Sequence, residues 1–174
     1  MRIERLSREN AHLLSDALEL YRSAFPREER RDDDEQERVF AKDDYRFGFI
    51  MEGDELLGIM LTWETEDFIF LEHFATKPEL RNRGIGSEAL GLLRGSGKTV
   101  ILEIEPPTDE MKRRRYEFYK RNGFEMTPHY HIQAKLRRGD PDLELKVLSH
   151  PHAIGEAEYK RFKEYMDREI GVQQ

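Results

Sequence analysis

Two spacings of apolar residues alternate along this chain, one helical and one strand-like. Leu13, Leu14, Ala17, Leu18 and Tyr21 recur at helical spacing and predict an amphipathic helix from Arg8 or Glu9, with Ser7 as its N-cap. Phe25-Pro26 stops it, because proline lacks an N–H and its ring crowds the preceding turn. Met1 to Leu6 alternates weakly and predicts a short first strand. Arg27 to Lys42, with Asp32-Asp33-Asp34-Glu35 inside it, predicts a loop and a second, exposed helix whose charges form a solvated face.

Strand patterns follow. Tyr45–Met51 and Leu56–Thr62 flank the turn Glu52-Gly53-Asp54-Glu55 and read as a hairpin. Phe68–Ala75 is almost continuously apolar, as a central strand is. A helix follows over Ser87–Leu93, ending near Gly95, and a strand over Thr99–Ile104, stopped by Pro106-Pro107. Thr108 is placed to cap a helix from about Asp109 to Arg121, and Asn122-Gly123 is its C-terminal signal. Phe124–Leu136 and Leu143–Leu148 predict two more strands around a turn at Arg138-Gly139-Asp140-Pro141, and Ile154–Ile170 a final amphipathic helix. Single crossovers mixed with consecutive strands predict an α/β fold, a mixed central sheet of about seven strands with helices on both faces. The length, 174 residues, predicts one domain, 1–174.

Composition narrows the function classes. A net charge of −7 argues against non-specific nucleic-acid binding. No stretch approaches the roughly 18 apolar residues of a membrane span, and Met1-Arg2-Ile3-Glu4-Arg5 lacks an apolar leader core. With no cysteine, the chain has no disulfide, thiolate metal site or cysteine nucleophile, which is compatible with the cytoplasm. His129, His131, His150 and His152 match no metal-binding spacing, so no metal is expected. Lys112-Arg113-Arg114-Arg115 reads as a solvated helix face.

The chemistry begins at Arg81-Asn82-Arg83-Gly84-Ile85-Gly86, between the Phe68–Ala75 strand and a helix. Backbone N–H groups at a helix's positive end hold phosphates. Gly84-Ile85-Gly86-Ser87-Glu88-Ala89 satisfies G-x-G-x-x-G/A, and Glu103 and Glu105 stand where a ribose-binding acid of a dinucleotide site would be. The context differs: Thr76 to Arg83, eight mostly polar residues, separate strand from glycine. Gly95-Ser96-Gly97-Lys98-Thr99 resembles the end of a P-loop, but it follows a helix, precedes a strand and has Leu92 where the first glycine is required.

Arg81-x-x-Gly84-x-Gly86 resembles the R/Q-x-x-G-x-G/A motif of the GNAT superfamily of N-acetyltransferases. Phe118-Tyr119-Lys120-Arg121-Asn122-Gly123-Phe124 is similar to that family's F-Y-x-x-x-G-F segment, and Thr76-x-Pro78-x-Leu80-Arg81 to its lead-in. The resemblance covers roughly residues 45 to 136. It implies acetyl-CoA as cosubstrate, bound between two splayed strands, here Phe68–Ala75 and Thr99–Ile104. By resemblance, Arg81, Asn82, Arg83, Gly84, Ile85 and Gly86 cradle the pyrophosphate, Ser87 adds a hydroxyl, and the main chain of Phe74, Ala75 and Thr76 takes the pantetheine arm. Two positions depart from the family: Lys112 stands where Asn is common, and Arg115 where a small residue is usual.

Acetyl transfer to an amine needs a neutral amine, a polarised thioester carbonyl and a proton for the leaving thiolate. A lysine-like amine is neutral about once in two thousand molecules at pH 7, so a base is useful. A main-chain N–H near Phe74 to Thr76 can polarise the carbonyl. Tyr119 is the acid implied by the resemblance; without the motif it reads as a core aromatic like Phe118 and Phe124. For the base, Glu72 and His73 are the polar residues within Ile69–Ala75, and period two puts them on opposite faces of the strand. A buried ionisable group needs a partner or a function. Glu72 is the first candidate, as base or water-holder or else a structural ion pair, with His73, Glu64 and Glu105 behind it.

The expected activity is transfer of acetyl to a primary amine by direct attack in a ternary complex. The competing readings are a non-catalytic acyl-CoA-binding module of the same fold and a NAD(P)-binding protein. The expected partner is a small-molecule or peptide amine, with no nucleic acid or membrane. Phe25-Pro26-Arg27-Glu28-Glu29-Arg30 lies where acceptor pockets are often built in this family, and the chain is expected to be a monomer or homodimer.

Overall fold

The computed structural model describes residues 1–137 and 139–171. The chain divides into two compact units, Met1–Val100 and Ile101–Gln174. The fold is the expected α/β kind, with eight strands and five α-helices among the described residues.

The first unit holds an antiparallel run in the order β1 (Arg2–Arg5), β2 (Tyr45–Glu52), β3 (Glu55–Glu64) and β4 (Phe68–Thr76). Around it lie α1 (Leu14–Ala24), α2 (Asp33–Phe40) and α3 (Ile85–Arg94). Its core contains Tyr45, Phe47, Phe49, Ile59, Leu61, Trp63 and Phe70 from the strands and Ala17, Leu20, Ala89 and Leu90 from the helices. Gly53 has φ +55 in the β2–β3 turn, the conformation its place in the predicted hairpin requires.

Ser7 does not cap a helix. The Ser7 N–H donates to Asn10 Oδ1 at 2.8 Å, and its hydroxyl accepts from the Glu9 N–H at 3.2 Å, which closes a local turn. The helix starts later, with a 3₁₀ turn at Ala11–Leu13 that leads into α1.

The strand β4 is not regular. Leu61 of β3 pairs with His73 and Thr62 pairs with Leu71, which leaves Glu72 as the extra residue of a β-bulge. The bulge interrupts the alternation of side chains. Glu72 and His73 therefore do not sit apart as period two predicts; His73 Nδ1 is 3.5 Å from Glu72 Oε2. Past the bulge, Phe74, Ala75 and Thr76 are half-buried where the first half of the strand is buried. At this end β3 and β4 approach closely. A Cβ on Gly58 would lie 2.4 Å from Ala75 O and 3.0 Å from Thr76 Cα, so only glycine fits there without a shift.

The segment predicted as a solvated loop and helix contains one buried cation. Arg31 is 3% exposed, and Gln36 and Val39 of α2 are also buried.

β5 (Thr99–Ile104) spans the boundary between the units. In the second unit the strand order is β5, β8 (Glu144–His150), β6 (Glu125–Met126), and β7 (His131–Ile132) also pairs with β8. The predicted strand Phe124–Leu136 is thus two short pieces. Pro128 lies between them and offers no N–H to a ladder. Asp109, rather than Thr108, caps α4 (Glu110–Arg121): its Oδ1 accepts from the Lys112 N–H at 2.9 Å. The last helix, α5 (Glu156–Tyr165), continues as a π-turn over Met166–Ile170, with Phe162, Met166 and Ile170 buried. Gly139 has φ +82 in the predicted turn, while Arg138 lies outside the described residues.

Candidate active site

The turn into α3 is set by backbone conformation. Asn82 and Gly84 both have positive φ, 63° and 80°, and Gly84 is the N-cap of α3. Glycine takes this region without strain, and asparagine more readily than most residues. Gly84 brings no side chain to the helix end, and a Cβ built there would meet nothing within 4 Å. The space in front of the helix is open. Arg81, Asn82, Arg83, Gly84 and Ser87 are exposed, and Ile85 and Gly86 half-buried. Neither Arg81 nor Arg83 forms an ion pair with a described residue. A helix's first N–H groups have no intrahelical partner and carry the positive end of its dipole. Together these features leave the N-terminal end of α3 exposed beside two arginines, a setting whose charge suits an anion.

Upstream, Glu72 is engaged. Arg31 Nη1 donates to Glu72 Oε2 at 2.7 Å and Nη2 to Oε1 at 2.6 Å, a two-pronged bond between side chains 3% and 5% exposed. Burial by itself would raise the Glu72 carboxyl, but Arg31 and His73 hold it well below the usual carboxylate range. Burial likewise disfavours the Arg31 cation, and the facing carboxylate outweighs that and keeps the guanidinium charged. Burial first and Glu72 second push the phenols of Tyr21 and Tyr45 upward, so both stay neutral. A carboxylate this stabilised is a poor proton acceptor.

The other base candidates also have partners. His73 Nε2–H donates to Glu29 O at 2.7 Å. Glu64 Oε1 accepts from Thr62 Oγ1 at 3.2 Å, and Arg46 Nε lies 3.6 Å from its Oε2. Glu105 pairs with Lys112 and Arg115, each at 3.2 Å. The two residues that depart from the family pattern therefore share one carboxylate.

In the second unit, Tyr119 sits in the C-terminal turn of α4. Phe124 N–H donates to Tyr119 O at 3.1 Å and Gly123 N–H to Lys120 O at 3.0 Å, with Gly123 at φ +79. This is a Schellman motif. It gives the spacing from Tyr119 to Gly123-Phe124 a structural reason, and the Tyr119 and Phe124 rings meet edge-on at 5.8 Å. The Tyr119 hydroxyl makes no hydrogen bond with a described residue. Burial pushes this phenol up to about 12, while nearby Arg115 acts in the opposite direction.

Two clusters escaped the sequence reading. Arg31 is one; the only sign of it was the lone acid in an apolar strand, which required a partner. The other is Glu103, His131 and Tyr159 in the second unit, where His131 is fully buried and bonded to both of the others. The P-loop-like segment is a turn, with Gly97 at φ +76 and Lys98 Nζ donating to Thr65 O. Among the described residues no group of three or more His, Asp or Glu side chains is arranged to hold a metal ion. No helix among them is long and apolar enough to cross a membrane.

Residues 12–124 match the model of the Acetyltransferase (GNAT) family. The chain belongs to that family. A protein of Bacteroides thetaiotaomicron assigned to the GNAT family superposes with a TM-score of 0.89 at 28% identity, covering 99% of this chain and 100% of that one. YjbC of Bacillus subtilis (strain 168) is 33% identical over 70 residues, 38% of this chain and 35% of YjbC, so the match spans about a third of that relative. An aminoglycoside 6′-N-acetyltransferase complexed with coenzyme A shares the fold, with a TM-score of 0.61 at 17% identity over 86% of this chain and 96% of that one. Within this GNAT protein the family match crosses the boundary between the two units.

Proposed function

We propose that residues 1–174 form one acetyltransferase domain that moves acetyl from acetyl-CoA to a primary amine by direct attack in a ternary complex. The observation that carries this reading is the exposed turn Arg81–Gly84 leading into α3: wound by left-handed Asn82 and Gly84, and carrying Arg81 and Arg83, which form no ion pair among described residues. It follows the half-buried strand end Phe74–Thr76, whose main chain is suited to a pantetheine arm. Acetyl-CoA supplies an activated thioester when bound.

The chain's own groups then divide the work. Arg81, Arg83 and the main chain of residues 82 to 87 bind the phosphates. The strand end near Phe74 to Thr76 aligns the thioester carbonyl. Tyr119 donates a proton to the departing sulfur as the C–S bond breaks and the C–N bond forms; the attacking nitrogen releases one proton to water, and water returns one to the Tyr119 phenolate, so the protons balance and the phenol is restored. Its neutral hydroxyl, with no hydrogen bond among the described residues, supports that role. No cysteine is present to carry an acyl intermediate, which favours direct attack. Glu72 acts as a holder rather than as the base, because Arg31 occupies both its oxygens. The acceptor is a small-molecule or peptide amine.

A second reading, an acyl-CoA-binding module without turnover, is favoured by that same ion pair, which withdraws the first base candidate. Calorimetry with acetyl-CoA and NAD(P), followed by an assay of CoA release across a panel of amines, separates the readings. Acetyl-CoA binding with amine-dependent CoA release is expected. Binding without release of CoA from any amine favours the module, and binding of NAD(P) alone ends both.

A further inference from the structure

The segment Phe25–Arg31 meets β4 at its bulge. Phe25 and Pro26 are extended, Arg27–Glu29 makes one 3₁₀ turn, and Arg31 then enters the interior. Polar contacts from Glu29 and Arg31 hold the segment. Arg31 grips both oxygens of Glu72. Glu29 O accepts from His73 Nε2–H. The Arg31 N–H donates to the Tyr21 hydroxyl at 3.3 Å. Around them, the rings of Tyr21 and Phe25 stand edge-on to His73, with centroids 4.9 and 4.7 Å away, and the Arg31 guanidinium lies over Trp63 at 5.5 Å.

The bulge makes this possible. By leaving Glu72 unpaired with β3 it brings Glu72 and His73 to one side, where successive strand residues would otherwise diverge. A buried ion pair is a weak source of net stability compared with apolar side chains of the same volume. What a fork-on-fork guanidinium–carboxylate bond supplies is direction, because two parallel N–H···O bonds fix distance and orientation together. The strand end Phe74–Thr76 begins two residues after Glu72, so the same pair references the segment to the main chain that the acetyltransferase reading assigns to the cosubstrate.

We propose that Arg31 and Glu72 are positioning residues: they clamp the segment Phe25–Arg31 onto the bulge of β4 and so fix the acceptor side of the site relative to Phe74–Thr76. The acceptor half of this statement rests on the acetyltransferase reading; the clamp does not. Glu72 moves no proton in this role.

The test uses the whole protein with Glu72→Gln, Arg31→Lys and the double variant Arg31→Met/Glu72→Leu. Amide hydrogen exchange over residues 25–31 reads the clamp without any assay of activity. In the single variants it rises about tenfold or more, acetyl-CoA affinity by calorimetry stays within about twofold, and KM for the amine rises about tenfold with kcat changed less than about threefold. The acid limb of the pH–rate profile stays in place. Unchanged exchange over 25–31 overturns the clamp. A fall of about a hundredfold in kcat for Glu72→Gln with loss of the acid limb makes Glu72 the base and overturns the positioning role. If the single variants do not fold, the double variant decides. It keeps the packing without the direction, so it folds with amine KM still raised; a wild-type KM overturns the proposal. Failure of the wild type to acetylate any amine removes the acetyltransferase reading, and the exchange measurement then judges the clamp alone.

Discussion

His131 Nε2 faces Glu103 Oε1 at 2.5 Å, and the two side chains form a buried pair. Tyr159 completes the group. The Tyr159 hydroxyl donates to Tyr130 O at 3.0 Å, so it accepts from His131 Nδ1–H, also at 3.0 Å. The pair is buried, with side chains 0% and 6% exposed. His131→Phe leaves Glu103 buried and alone, and costs about 3–5 kcal/mol of unfolding free energy. The double variant His131→Phe/Glu103→Leu regains most of that. Urea denaturation of the wild type and the two variants checks it, and a double variant no more stable than the single one refutes the pairing.

Acid weakens the Arg31–Glu72 clamp in a direction that can be stated. Glu72 is held below its ordinary range in the folded protein and titrates near about 4.3 in the unfolded chain. A carboxyl lowered on folding contributes stability that is fully present above the unfolded value and is lost as pH falls toward the folded one. Wild-type stability therefore falls as pH drops from roughly 5, and Arg31→Met/Glu72→Leu shows a shallower fall. Equal slopes for the two proteins across that range count against the pair.

Tyr119→Phe removes a hydroxyl with no partner among the described residues. Stability is expected to change by less than about 0.5 kcal/mol, acetyl-CoA affinity to hold, and kcat to fall by about 10²–10⁴. Because burial pushes this phenol up to about 12, the wild-type kcat/KM profile shows no alkaline loss from Tyr119 below that value. Stopped-flow detection of CoA thiol release over pH measures both. Full turnover by the phenylalanine variant removes Tyr119 from the chemistry.

Gly84→Ala forces a side chain into a left-handed residue with φ +80. The strain is about 1–2 kcal/mol, and acetyl-CoA binding weakens by about tenfold through distortion of the loop. Arg81→Ala and Arg83→Ala weaken binding by an amount that shrinks as salt is added, since both side chains are exposed. Calorimetry at two ionic strengths distinguishes the backbone effect, which salt leaves alone, from the charge effect.

Gly58→Val places atoms against Ala75 O and Thr76 Cα, where even a Cβ would come within 2.4 and 3.0 Å. The main chain of β4 has to move at the end assigned to the pantetheine arm. Acetyl-CoA affinity is expected to fall about tenfold or more, with helix content by circular dichroism retained. Unaltered affinity would show that this strand end does not meet the cosubstrate.

The sequence made most of this architecture readable, because strands such as Thr99–Ile104 and the hairpin around Gly53 depend on local pattern and turn chemistry. Asn122-Gly123 marked the end of α4 correctly, and Gly84, read from the sequence as allowing close approach of the main chain, also proves to be left-handed. Long-range relations stayed hidden. Nothing near Arg31 distinguishes it from the exposed charges around it, and its partner is 41 residues away. A bulge depends on how two strands are registered, so period two placed His73 on the wrong side of Glu72. Phe124–Leu136 read as one strand by composition, but Pro128 cannot donate to a ladder.

The left-handed turns at Asn82 and Gly84 have a consequence for the speed and tightness of binding. Their φ values of 63° and 80° are set by residue type and held by the packing of α3, with Ala89 and Leu90 buried beneath the loop's helix. On the acetyltransferase reading proposed above, residue type and helix packing, rather than a bound phosphate, dictate the turn at these two positions. Immobilising loop residues at an interface consumes about 0.5–1.5 kcal/mol for each rotamer-rich side chain. On the proposed reading, that cost falls on exposed side chains such as Arg81 and Arg83 more than on a main chain whose turn is dictated by Asn82 and Gly84.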